Sequence, residues 1–437
     1  MSELERPPAG PATAPSPPAE PEPSPPRPPD PRETAQEEAA GRARRIVDAL
    51  VVPVLAVFTA LLIGAFVIVL SDQEILALWT TDPLKALQES IAAVAEGYGA
   101  LFSGALGNPQ TYLEAFASGD LDQIRAAFNP ISESLLAATP LIFTGLAVAL
   151  GFRAGLFNIG AEGQLYLGAI VATFVGFSIT GLPLFIHLPL AIAAGFLGGA
   201  LWGFIPGLLK ARTGAHEVIV TIMLNYVSYQ LLNWVLRQPW YQRPDRSDPI
   251  SPIVEPTAMI PPLIEGLRVN WAFVLALVAA AAVSWLLFRS TLGYEFRAVG
   301  FNPSAARYAG INISRALILT MSISGGLAGL AGATEILGVN KALTPGFSPG
   351  YGFDGIAIAL LGGSSPLGVV LAALLFGVLR AGATPMQAAT GIPIDLVVVI
   401  QALVIMFVAA PALIREIYRI KVKPTTGTEI MAQGWRT

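Results

Sequence analysis

Several stretches of this chain run for about twenty residues with at most one charge, and a water-soluble fold has little room for so many. Val51–Leu70, Trp271–Phe288 and Ala316–Leu337 are among them. About 20 consecutive apolar residues span the hydrocarbon layer as a helix. Backbone groups in lipid must be satisfied internally, so helices follow. Only 13% of the 437 residues are charged and 54% are hydrophobic, whereas soluble domains carry about a quarter charged residues. The expected fold is an all-α polytopic membrane protein.

Ten segments fit the pattern. They are Val51–Leu70, Ser132–Leu150, Asn158–Ile179 (with Asn158 as its cap), Leu188–Leu209, Glu217–Leu236, Trp271–Phe288, Ala316–Leu337, Phe353–Leu361, Leu367–Arg380 and Ile394–Leu413. Phe353–Leu361 is too short to span alone. It lies in a Gly/Pro-rich run and reads as a short or broken helix, tolerated where protein or a cavity surrounds it.

Positive charge sets the orientation. Arg42, Arg44, Arg45, Arg153, Lys210, Arg212, Arg289, Arg297, Arg307, Arg315, Arg415, Arg419, Lys421 and Lys423 fall on one side. Lys85, Arg125, Arg237, Arg243, Arg246, Arg268, Lys341 and Arg380 fall on the other, over longer loops. Both termini are therefore expected inside, and Arg380 is the weakest point of the scheme. Residues 1–41 form a Pro-rich tail expected to be disordered. Residues 42–420 form the membrane domain, with an acidic outer connection at 71–130, and 421–437 form a second inner tail. Within the outer connection, Leu84–Leu106 reads as an amphipathic helix lying on the membrane surface.

The inner loop 289–315 is a polar island between two apolar runs. Asn302 can cap a short helix there, Pro303 suits its first position and Gly310 its stop. Ala305, Ala306 and Ala309 give it a small-residue face, with Arg307 and Tyr308 interleaved. Such a helix suits close packing by another protein, and we read it as the point where an external motor pushes. The chain has no motor of its own, since it lacks a P-loop and contains no Gly-Lys dipeptide.

Polar residues within the apolar segments are the candidates for a solute path. Glu162 stands near the start of a spanning segment, as path lining or as a helix-to-helix hydrogen bond. Asn225 lies about mid-membrane with the same two readings. Glu335, Asn340 and Asp354 gather near the broken segment, where carboxylates can accept hydrogen bonds from hydroxyl-bearing solutes; the alternative is that outer solvent wets them. Zero cysteines and two well-separated histidines leave no Cys or His metal cluster. No basic stripe suits a nucleic acid polymer.

Five motifs occur in order: AGLFNIGAEGQLYLGA, EVIVTIMLNY, NPSAARYAGI, GLAGLAGATEILG and GYGFDGIAIALLG. Together they resemble the permease subunits of bacterial ABC importers of the branched-chain amino acid and simple-sugar group, most nearly those for nucleosides. The resemblance covers about Pro130–Leu413. It implies a bacterial plasma membrane location and a cytoplasmic coupling helix at Gly300–Gly310. It also implies a separate ABC ATPase carrying ATP and magnesium, a second permease that is expected to be non-identical, and an extracellular substrate-binding lipoprotein. Sugar or amino-acid cargo keeps the same mechanism. A secondary transporter driven by an ion gradient is the rival of another class; it should carry a buried ionisable pair at mid-membrane.

Overall fold

The computed structural model describes residues 31–244 and 246–419. Residues 1–50 and 51–437 form two units. The proline-rich stretch 1–30 and the tail 420–437 lie outside the described residues. In the first unit the chain is helical from Pro31, so residues 31–41, expected as tail, belong to a helix. Pro31 suits a first helical position, and the Ala, Glu, Gln and Arg that follow favour helix.

No strand occurs among the described residues. The helices are α1 (Pro31–Ser71), α2 (Gln73–Thr81), α3 (Pro83–Leu106), α4 (Pro109–Ser118), α5 (Leu121–Ala127), α6 (Asn129–Arg153), α7 (Ala161–Ser178), α8 (Leu184–Thr213), α9 (Glu217–Val235), α10 (Trp271–Arg289), α11 (Thr291–Phe301), α12 (Pro303–Tyr308), α13 (Ile313–Glu335), α14 (Tyr351–Leu361), α15 (Pro366–Thr390), α16 (Asp395–Ala409) and α17 (Pro411–Ile417). Each of the ten expected segments coincides with an apolar helix. Seven of these are long and apolar enough to cross a membrane, α14 and α16 are shorter, and α7 is the tenth. In α7 the first turn carries Glu162 and Gln164.

The connection 71–130 is a series of short helices, each opened by an acidic or amide cap. The Asp72 carboxylate accepts from the Glu74 N–H at 2.9 Å, Asp82 from Lys85, Asn108 from Gln110 and Asp120 from Asp122. Proline follows Asp82 and Asn108 at the first helical position. The buried stripe of α3 is Ala86, Ser90, Gly97, Leu101 and Ala105. It meets protein: a Cβ at Gly104 would strike Pro385, and one at Gly382 would strike the Leu101 carbonyl. The amphipathic face expected on a membrane surface thus packs on α15, because small residues at helical spacing let two helices approach.

The tightest seam joins α8 and α13. A Cβ on Gly199 would collide with the Gly325 carbonyl, one on Gly203 with the Met321 carbonyl, and one on Gly329 with the Gly195 carbonyl. Backbone packs directly on backbone along these helices, as in closely crossing membrane helices.

Two crossings are broken. After α6 the chain runs without helix through 154–160 before α7 begins, and 341–350 likewise precedes α14. The approach to α7 reaches the level of Ser324, midway along α13, because the Asn158 amide donates to the Ser324 hydroxyl at 2.8 Å. From there α7 rises past Gly168, which faces Gly329, to Gly176, which faces Leu337. In the opposite sense, α14 descends to the end of α6, where the Arg153 guanidinium donates to the Ser364 carbonyl at 2.9 Å.

Candidate functional site

The first turns of α7 and α14 meet inside the protein. A Cβ at Gly352 would collide with the main chain of Glu162, so only glycine lets the two helix starts touch. The Glu162 carboxylate accepts the Gly352 N–H at 2.7 Å. The Ser348 and Tyr166 hydroxyls lie within electrostatic reach of it. A helix start presents unpaired N–H groups and the positive end of its dipole. Glu162, 4% exposed, therefore satisfies α14 from within the chain.

Around this junction lie three more of the acidic and amide residues singled out from the sequence. Arg380 lies 3.5 Å from the Asp354 carboxylate, and its guanidinium sits 4.8 Å from the centre of the Tyr351 ring. Tyr351 lies within electrostatic reach of Glu162, Glu335, Asp354 and Arg380 together. The Asn340 amide donates to Glu335 at 3.4 Å. Glu162, Glu335, Asn340 and Asp354 thus form one constellation about Tyr351 and Arg380. The carboxylates accept from hydroxyl or amino groups, and the guanidinium donates.

The charge pattern puts Arg380 at the outer end of a segment, but α15 continues to Thr390. A charge inside a spanning helix is tolerated when it is paired, and Asp354 with the Tyr351 ring supplies the pairing.

Asn225 is committed to joining helices. Its amide oxygen accepts the Gly163 N–H at 2.8 Å, and its nitrogen donates to the Ile159 carbonyl at 2.9 Å. Asn158 does not cap α7. It exchanges hydrogen bonds with the Gln164 amide at 2.8 and 3.1 Å and so ties down the non-helical approach. The letters Gly346–Gly350 match Gly-x-Ser-x-Gly, yet Ser348 lies on no strand-to-helix elbow. Its oxygen accepts from the Gly350 and Tyr351 N–H groups, both at 3.3 Å.

The second candidate site is the island 289–315. The Asn302 carboxamide accepts the Ala305 N–H at 3.0 Å, Pro303 opens α12, and Gly310 takes φ +82. Pro303, Ala305, Arg307 and Gly310 are exposed, whereas Ala306 is buried. Ala306 therefore anchors α12 rather than presenting a surface. Tyr308, interleaved with Arg307 in the same short helix, is 95% exposed. The island also holds a helix not expected from the sequence, α11, capped by Ser290 through the Gly293 N–H at 3.0 Å. Its Gly300 lies so close to Arg153, Ala154 and Gly155 that a Cβ would overlap their backbone. The island thus bears directly on the joint where α6 gives way to the approach to α7.

Comparison with known proteins supplies a family. The family model described as "Branched-chain amino acid transport system / permease component" matches residues 131–409. A guanosine ABC transporter permease protein, NupP of Bacillus subtilis (strain 168), is 40% identical over 371 residues, covering 84% of this chain and 94% of the relative. A nucleoside ABC transporter permease protein, NupB of Lactococcus lactis subsp. cremoris (strain MG1363), is 36% identical over 68% of this chain and 84% of its own. A glucose ABC transporter permease protein, TsgB13 of Haloferax volcanii, is 38% identical over 66% of this chain and 78% of its own. No solved structure matches.

Proposed function

This chain belongs to the family of permease components of branched-chain amino acid transport systems, and on that premise we propose that it is the membrane-spanning subunit of an ATP-driven nucleoside importer. The observation that carries the cargo is the 40% identity to a guanosine permease across 94% of that protein's length. The glucose permease among the relatives supports a second reading, sugar cargo through the same machinery.

The chain is a multi-pass membrane protein and a permease component, and the rest of the machine is proposed around it. A cytoplasmic ABC ATPase holds ATP and magnesium. A second, non-identical permease completes the path, and an extracellular binding lipoprotein delivers the solute. The family membership supports these partners in general terms. The arginines beside α12 support an inward-facing island with both termini inside a bacterial plasma membrane.

The mechanism follows from two contacts. The ATPase grips the exposed side of α12, at Pro303, Ala305, Arg307 and Tyr308, while Asn302 and Gly310 fix its two ends. Movement of α12 carries α11, and Gly300 presses on the joint at Arg153–Gly155. That joint leads to Glu162 and through it to α14. The push therefore reaches the constellation of Asp354, Glu335, Asn340, Tyr351 and Arg380, which we assign to the solute path. Two arrangements of the broken crossings, biased by nucleotide on the ATPase, then open the path to alternate sides.

Uptake into membrane vesicles containing the complete system tests this reading. Labelled guanosine should accumulate only with ATP inside the cytoplasmic compartment. Competition by unlabelled nucleosides but not by glucose or leucine is expected. Uptake abolished by ionophores and indifferent to ATP depletion would assign the chain to ion-gradient transport instead.

A further inference from the structure

We propose that the groove at the base of α11 and α12 binds the phosphate of an anionic phospholipid. The groove has a volume of about 710 Å³ and runs between the end of α10, α11 and the start of α13. Arg289, Arg297 and Arg315 line it, opposed by Glu295. A second recess of about 490 Å³ adjoins it, shares Asn312 and Arg315, and adds Arg212 from the end of α8. The two recesses together are thus lined by four arginines and one glutamate. Arg212, Arg289 and Arg315 have no ion-pair partner among the described residues, and Arg297 stacks 5.5 Å from the Phe288 ring centre. Like charges gathered in this way repel unless an anion sits among them.

The apolar part of the lining selects a lipid over an acidic protein loop. Phe288 and Tyr294 line the groove and are exposed, and Trp285, one turn earlier on α10, is exposed beside them. In the adjoining recess Ile318 and Leu319 continue from Arg315 up α13. An acyl chain needs such an apolar continuation above its headgroup, while a carboxylate-bearing loop does not. Aromatic side chains at this level are those that sit at headgroup depth, and basic recesses between spanning helices are the form that headgroup sites take. The site lies beside the exposed face of α12: Ala309 and Gly310 at the end of that helix line the groove, whereas Arg307 and Tyr308 do not. It does not depend on which solute is carried.

The test uses the full-length protein in nanodiscs of phosphatidylcholine, with or without phosphatidylglycerol, and in detergent with millimolar inorganic phosphate. Bound lipid is counted by native mass spectrometry and stability by thermal unfolding. We expect retained phosphatidylglycerol and a raised unfolding temperature that phosphatidylcholine and inorganic phosphate do not reproduce. The triple variant Arg212→Gln, Arg289→Gln, Arg315→Gln should bind phosphatidylglycerol at least about tenfold more weakly. The single variant Arg315→Gln, which alters both recesses, gives the same comparison with less disturbance of folding. Equal retention by wild type and the single variant overturns the proposal. So does stabilisation by inorganic phosphate equal to that by the lipid, which would make this a free-anion site. Unchanged lipid binding with lost ATPase association would reassign the groove to the protein partner.

Discussion

Glu162 accepts the backbone N–H of Gly352 at 2.7 Å across 190 residues of sequence. That bond joins two interrupted crossings at their helix starts. The carboxylate substitutes for the caps that α2 to α5 obtain from neighbouring Asp or Asn. Removing it should therefore expose a buried donor. Glu162→Ala is expected to cost about 1–3 kcal/mol, the penalty for leaving a buried polar group unsatisfied. Glu162→Gln keeps an acceptor oxygen and should cost less. Thermal unfolding of both variants in the same detergent checks the order; equal losses would remove the hydrogen bond from the account.

Arg380 and Asp354 should behave as a coupled pair. Their side chains are 27% and 26% exposed, so the loss on breaking the pair falls below that of a fully buried one. We expect Arg380→Ala to destabilise by about 1–2 kcal/mol, with the double variant Arg380→Ala, Asp354→Ala less affected than the sum of the two singles. A double-mutant cycle on unfolding free energy measures this, and strict additivity would count against the pairing. Solute uptake should fall in all three variants.

On α12, surface and anchor should separate. Tyr308→Ala and Arg307→Glu leave the fold intact and should reduce both uptake and co-purification of the ATPase. Ala306→Trp forces a large ring into a buried position and should lower the unfolding temperature whether or not the ATPase is present. Normal uptake by the Tyr308 and Arg307 variants, with the ATPase still attached, would show that the push arrives elsewhere.

The glycine seam sets a further expectation. Gly329→Val places a branched side chain against the α8 backbone and should cost several kcal/mol or prevent folding. Gly363, whose Cβ position is open, is the contrast: there φ is +59 and Gly363→Ala should cost about 1 kcal/mol through backbone strain alone. Expression yield and detergent stability distinguish the two.

The sequence carried most of the fold, and the reasons for its gaps are specific. Long apolar runs announced α1, α10 and α13 directly. Asn302, Pro303 and Gly310 encoded α12 locally, since each acts on its own few residues. Arg380 was misplaced because its compensation comes from Asp354, 26 positions earlier and on another helix. The meeting of Glu162 with Gly352 was hidden for the same reason, and only the letters Gly and Glu were visible. In α3 the spacing of Ala86, Ser90, Gly97, Leu101 and Ala105 was available as a sign of protein contact, but amphipathicity alone does not distinguish a lipid surface from a neighbouring helix. The Asp and Asn caps of α2 to α5 are local signals of the same kind as Asn302, each acting on the next turn.

Since α8 and α13 touch main chain to main chain along their glycines, neither can bend or rotate against the other without losing contact along the seam from Gly195 to Gly207. They behave as a single beam. Any rearrangement that admits a solute must then hinge around that beam, to which α7 is also fastened at Gly168 and Gly332, and α14, whose Gly355 meets Thr144 of α6 instead, is the part free to swing.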